Sequence, residues 1–179
     1  MSIPQEADRA KLLIGMFMSD RTLAEPVTEA LIDLFGPPDM VSGWFDFNQT
    51  DYYAAEMGER LYRRILAFKH LVRQDGLAGI KLATNRIEKQ YCVGNKRRVN
   101  IDPGLMAAER FVLATGKNFT HRIYLGAGIY ADLTLIYRHG RFETLPWTYP
   151  DYAAGDMRDF LEQVRRKYIW DRKTGREIT

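Results

Sequence analysis

The residue types that do chemistry gather between Arg97 and Tyr149. Arg98, Asn100 and Asp102 alternate along one short segment, and Arg122, Tyr130 and Asp132 alternate along two others. A guanidinium is a planar fork of donors that matches a carboxylate or phosphate. Lys117 adds a second kind of cation nearby in sequence. Histidine is the residue type suited to proton transfer at neutral pH, which makes His121 a candidate acid or base, and Asp102 can orient such a histidine or act as a base itself. Trp147 and Tyr149 lie between Pro146 and Pro150, and rigid aromatics of this kind can stack on a planar ligand. The candidate set is therefore Asp102 and His121 for protons, with Arg98, Asn100, Lys117, Arg122, Tyr130, Asp132, Trp147 and Tyr149 for holding a ligand. The ligand that fits is anionic: a phosphorylated or nucleotide-like small molecule, handled by an enzyme or a sensor.

A plainer reading stands beside each of these. A polar sheet face is normal where an antiparallel sheet meets water. A lone histidine on an apolar face is a core histidine with a satisfied ring nitrogen. The Pro146–Pro150 segment can be a hydrophobic corner that seats the last helix. The sequence leaves both members of each pair open.

Several chemistries lack support. No G-x-x-x-x-G-K-[ST] phosphate loop occurs, and Gly126-Ala127-Gly128 falls between two strands, where a turn is the better reading. No G-x-S-x-G elbow is present. His70, His121 and His139 are too scattered to nominate a metal, and no motif names a cofactor. Cys92, the one cysteine, sits beside Tyr91 and Val93 and reads as a buried structural thiol.

These residues need elements to position them. Lys11 to Ser19 reads as a buried strand and Thr22 to Phe35 as a helix stopped by Gly36-Pro37-Pro38. Val41 to Phe47 is extended. Leu61 to Val72 suits either period, and its apolar density favours a strand. Asp75 has the character of a helix N-cap, with Leu77, Ile80, Thr84, Ile87 and Tyr91 on one face of the helix that follows. Short alternating segments come next: Arg98 to Asp102, ended by Pro103-Gly104, then Phe111 to Thr115, Phe119 to Leu125, Ile129 to Arg138 and Arg141 to Leu145. A helix from about Gly155 to Trp170 closes the chain. The predicted class is α+β: a mainly antiparallel sheet with helices on one face, a ferredoxin-like β-α-β-β-α-β start, a β-meander and a C-terminal helix.

The hairpin at Gly126-Ala127-Gly128 allows a sharper expectation. Phe119, His121, Ile123 and Leu125 are odd-numbered, as are Ile129, Ala131, Leu133 and Leu135. Period-2 alternation puts each set on one face, so a three-residue loop pairing Leu125 with Ile129 sends both sets to one core. Thr120 then opposes Thr134, Arg122 opposes Asp132, and Tyr124 opposes Tyr130. His121 falls on the apolar side, opposite Leu133.

Composition sets the outer bounds. The 179 residues suffice for a single domain spanning 1–179, and 46% hydrophobic with 27% charged residues is ordinary for a globular protein. A lone cysteine fits a reducing, cytoplasmic setting, and the acidic start lacks the order of a signal peptide. The apolar run Leu12 to Met18 is too short to span a bilayer, so no membrane is expected. Net charge is +3, with Lys96-Arg97-Arg98 and the tail (Arg165, Arg166, Lys167, Arg172, Lys173, Arg176) as its basic clusters.

Five segments carry a resemblance. They are Leu34 to Pro37, Thr50 to Tyr53, Lys96 to Gly104, His121 to Gly126 and Leu145 to Tyr152. Over nearly the whole chain the sequence resembles a prokaryotic family catalogued as domain-of-unknown-function family 4416. The resemblance implies a one-domain protein and brings no activity, cofactor or catalytic residue with it. An RNA-binding module is the alternative function, with the basic clusters on phosphates and Trp147 and Tyr149 under bases. A protein-interaction domain is the third.

Overall fold

A computed structural model describes residues 1–47, 54–58 and 60–174. Thr50 to Tyr53 and Arg176 lie outside the described residues.

The first strand, β1 (Ala10–Met18), is buried along its whole length. A strand buried on both faces reads as a near-continuous apolar run, and this one does from Leu12 onward, with Lys11 the exception. Helix α1 (Ala24–Phe35) follows a short 3-10 turn. Gly36, at φ 80°, takes the chain out of the helix. Strands β2 (Pro38–Val41) and β3 (Phe45–Phe47) divide the extended segment, and a short α2 (Ala54–Met57) leads to β4 (Leu61–Val72). Helix α3 (Leu77–Gln90) then crosses to β5 (Val99–Met106). Strands β6 (Arg110–Thr115), β7 (Arg122–Gly126), β8 (Ile129–Arg138) and β9 (Arg141–Thr144) precede α4 (Pro150–Ala153) and α5 (Gly155–Lys173).

Among the described residues, nine strands form one antiparallel sheet in the order β2-β4-β1-β5-β6-β8-β7, with β3 also on β4 and β9 also on β8. The N-terminal half is ferredoxin-like, as expected: β5, β1, β4 and the β2/β3 pair lie in the order last, first, third, second. The C-terminal half is built of hairpins around the long β8, which holds β6 on one side and β7 and β9 end to end on the other.

The alternation of β1 explains the layers. Its even residues, Leu12, Ile14 and Met16, join Val27 and Leu31 of α1 and Leu77 and Ile87 of α3 in one core. Leu13 joins Leu135, Phe142, Tyr152, Leu161 and Val164 in a second core, on the opposite face, closed by α4 and α5. Gly15 lies on that second face, where a Cβ would come 3.1 Å from the Tyr152 hydroxyl. No helix among the described residues is long and apolar enough to cross a membrane.

Four local expectations are corrected. Asp75 is not the N-cap of α3: it lies in the 3-10 turn Gln74–Gly76 and pairs with Arg73 at 2.9 Å. Pro103-Gly104 does not end β5. Pro103 pairs in register with Ile14 on β1 and lies just outside the three residues of β5 that pair with β6, so no β6 carbonyl is left without its N–H, and Gly104 is seated against Phe111 and pairs with Leu113. The hairpin loop is tighter than three residues. Gly126 pairs with Ile129, Ala127 and Gly128 both take positive φ, and a bulge between Tyr124 and Gly126 absorbs the extra residue. Because of that bulge, Arg122 still opposes Asp132 and Tyr124 still opposes Tyr130, as alternation required. Strand β7 starts only at Arg122, so Thr120 and His121 belong to a turn and make no ladder pair with Thr134 or Leu133.

The face expected to be apolar and covered at β7 is open. Phe119, Ile123 and Leu125 are exposed, Ile123 at 67%. Strand β7 is the sheet's edge, beyond the reach of the two cores.

Candidate functional site

Strands β5 and β6 pair over only three residues, Gly104–Met106 with Phe111–Leu113. Beyond them β5 stays with β1 and β6 stays with β8, so the sheet parts. A cavity of about 820 Å³ fills the parting. Residues from α3, β5, β6, β8 and α4 line it.

Asp102 is the β5 carboxylate in its lining. It shares a face with Asn100, whose Nδ2 donates to Asp102 Oδ2 at 2.7 Å. Lys81, from the helix on the other face, reaches through the gap to Asp102 Oδ1 at 3.4 Å and donates to the Ile101 carbonyl at 2.7 Å. Arg63 of β4 stands 3.7 Å from Asp102 Oδ2 and forms an ion pair with Asp151. Its guanidinium lies among the rings of Phe17, Phe47 and Tyr152, with centroids 5.0, 4.4 and 5.1 Å away. Glu88, two turns along α3 from Lys81, accepts from the Ile101 N–H at 2.6 Å. Burial pushes its carboxyl above the usual range, against the pull of Lys81.

A second buried carboxylate, Asp132, carries the other wall. Its Oδ2 accepts from Arg122 Nε at 2.8 Å and faces His121 Nε2 at 3.1 Å, while Thr134 hydroxyl contacts Oδ1 at 3.3 Å. Arg122 spends its other nitrogens on the Lys117 carbonyl at 2.9 Å and the Tyr149 hydroxyl at 2.5 Å. The His121 ring stacks on Trp147 at 4.7 Å and 9°, and the Trp147 indole N–H donates to the Leu133 carbonyl at 2.8 Å. Burial raises the phenols of both Tyr149 and Tyr152, with Arg122 and Arg63 respectively pulling the other way. The Tyr152 hydroxyl is buried at the cavity wall and has no hydrogen-bond partner within bonding geometry among the described residues.

The structure brings Asp102, Lys117, Asp132 and Tyr149 to the cavity itself. Asn100, Arg122, His121 and Trp147 stand behind that wall and hold it. His121 is therefore not opposite the acids, as strict alternation required: it lies in the turn before β7, where period 2 does not apply, and it turns to Asp132 rather than Asp102. Two candidates lie elsewhere. Arg98 precedes β5 and pairs with Asp20 at 2.7 Å, and Tyr130 packs on Tyr124 with centroids 5.1 Å apart. Arg97 lines the cavity instead, bound to Glu56 at 2.7 Å and to Asn100 at 2.8 Å. Its hydrogen bonds hold the Glu56 carboxyl below the usual range.

Arg63, Lys81, Glu88, Asp151 and Tyr152 escaped the sequence reading. Two signals pointed to them. Arg63 interrupts the apolar face of Leu61 and Ile65, and Lys81 and Glu88 are opposite charges seven apart, on the face that also carries Thr84. Cys92 is partly exposed at the cavity rather than buried, with its thiol 3.4 Å from the Glu88 carbonyl. Among the described residues no group of three or more His, Cys, Asp or Glu could hold a metal.

A family model described as domain of unknown function (DUF4416) matches residues 8–168, so the chain belongs to that family. Comparisons with curated proteins and with solved structures find no match.

Proposed function

We propose that this family member binds a phosphorylated or nucleotide-like anionic small molecule in the cavity between β5 and β6, as an enzyme or a sensor. The cavity carries the reading: about 820 Å³ is the size of a small-ligand site, and its wall mixes aromatic rings with converging charges. Asp102, Asp132 and Asp151 each already face a cation of the protein, and burial biases Glu88 toward its neutral form. Lys89, Arg97 and Lys117 add positive charge along the same lining. Phe47, Tyr149 and Tyr152 give it flat apolar surface. Where the ligand is turned over, Asp102 is the carboxylate it meets, and His121 acts only through Asp132.

The small-molecule reading gains over RNA from how the basic groups are spent. Lys167 pairs with Asp39 and Asp171, Arg172 with Asp8, and Arg165 lies over Tyr137 at 3.3 Å. One face of Trp147 is taken by His121. A thermal-shift screen against nucleotides, phosphorylated metabolites and short RNAs at two salt concentrations tests the proposal. Small anions should raise the unfolding temperature, Lys117→Ala should weaken the response, and Arg98→Ala should leave it intact. Stabilisation by RNA alone, falling steeply with salt, would favour the alternative.

A further inference from the structure

We propose that Tyr149 is the donor that recognises a phosphoryl oxygen of the ligand, presented to the cavity by Arg122. This rests on the reading of the cavity as an anion site. The argument is one of hydrogen-bond accounting. A phenol can accept and can donate one proton. The Tyr149 oxygen accepts from Arg122 Nη2 at 2.5 Å, and no described residue accepts the Tyr149 proton. Arg122 cannot swing away without leaving Asp132, to which its Nε donates at 2.8 Å, and Asp132 is almost wholly buried. The acceptor side of the phenol is thus fixed by a cation, which also polarises the O–H that remains. A phenol is protonated at neutral pH and so able to donate, and partial burial shifts this one further in that direction.

The same guanidinium holds the loop after β6, since its Nη1 donates to the Lys117 carbonyl at 2.9 Å. Lys117 and Tyr149 both line the cavity. One nearly buried arginine therefore anchors both the backbone that carries an ammonium and a phenol O–H. An oxygen-rich anionic group uses both at once, the ammonium as a point charge and the phenol as a directed donor. Arg122 is a positioning residue in this scheme, and Tyr149 and Lys117 are the groups that touch the ligand.

The test is titration calorimetry with inorganic phosphate and with adenosine monophosphate, on the full chain and on Tyr149→Phe. The variant keeps the ring and removes only the hydroxyl. We expect the dissociation constant to rise about tenfold or more, as for loss of a hydrogen bond to a charged group. Arg122→Lys should reproduce much of that loss with the hydroxyl still present, and an unchanged unfolding temperature of Tyr149→Phe shows that the fold is intact. Equal affinity of wild type and Tyr149→Phe for either probe overturns the role of Tyr149 and leaves the cavity reading standing. Failure of both probes to bind the wild type overturns the anion site, and the role of Tyr149 with it.

Discussion

Asp132 concentrates three partners on one buried carboxylate, and its removal is the most informative single change in the site. Arg122, His121 and Thr134 all turn to it, and the side chains of Arg122 and His121 are themselves nearly buried. Taking away one member of a buried ion pair strands the other, at a cost of about 3–5 kcal/mol. Asp132→Ala should lose stability on that scale in urea unfolding. Arg122 would also lose its anchor, so the response to anions should fall with it. The pairing of Arg122 with Asp132 was legible in the sequence, because two alternating strands and a tight turn admit few registers. The part played by His121 was not. Alternation assigns faces only inside a strand, and His121 sits one residue before the ladder begins. Arg63, Lys81 and Glu88 were hidden for a different reason: apolar periodicity selects hydrophobic residues, and a charge buried by a partner distant in sequence leaves no periodic mark.

At the level of elements, the site exists because β5 and β6 are pinned together at one end and free at the other. Gly104 is part of the pin. A Cβ there would stand 2.8 Å from both the Phe111 ring and the Val112 carbonyl. Such an approach belongs to glycine, so β5 runs on through Pro103-Gly104 where the sequence suggested a stop. Gly104→Ala should destabilise the protein by about 1–3 kcal/mol, as overpacking does, because one of the two obstacles is backbone and cannot rotate away. Thermal unfolding measures the loss. A smaller second effect should appear in ligand titrations, since forcing β5 from β6 alters the width of the cavity they bound. Strand β7 shows the limit of pattern reading at this scale. Ile123 opposes Ala131, as the odd-with-odd register required, but alternation says which residues lie together and not which face is covered. At an edge strand outside both cores, that face meets water.

Across the whole molecule, the sheet and the C-terminal helix are tied by one ionic cluster outside the site. Lys11 of β1 is wholly buried and donates to Asp39 of β2 at 2.6 Å, and Lys167 of α5 reaches the same carboxylate at 2.9 Å. Central strand, neighbouring edge and C-terminal helix therefore meet on Asp39. Burial lowers the Lys11 ammonium despite that partner. For Asp39, burial alone would raise the carboxyl, but the hydrogen bonds from Lys11 and Lys167 outweigh it and hold it below the ordinary 3.8. A depressed carboxyl contributes stability that is present above its unfolded value and is lost as pH falls through its folded one. The acid limb of the stability curve should accordingly steepen below pH 3.8 in the wild type and flatten in Asp39→Asn. Asp39→Ala at neutral pH should cost about 3 kcal/mol or more, because it leaves Lys11 charged and unpaired in the interior. Lys11→Met should be near neutral: the apolar side chain fits a buried strand, and Lys167 remains as the counter-ion of Asp39. Urea titrations of these two variants separate the explanations. If the ion pair itself supplied the stability, both variants would lose alike. If the penalty lies in an orphaned buried charge, only Asp39→Ala falls, and the tie between sheet and helix is one of specificity, in that it fixes where α5 lies on the sheet.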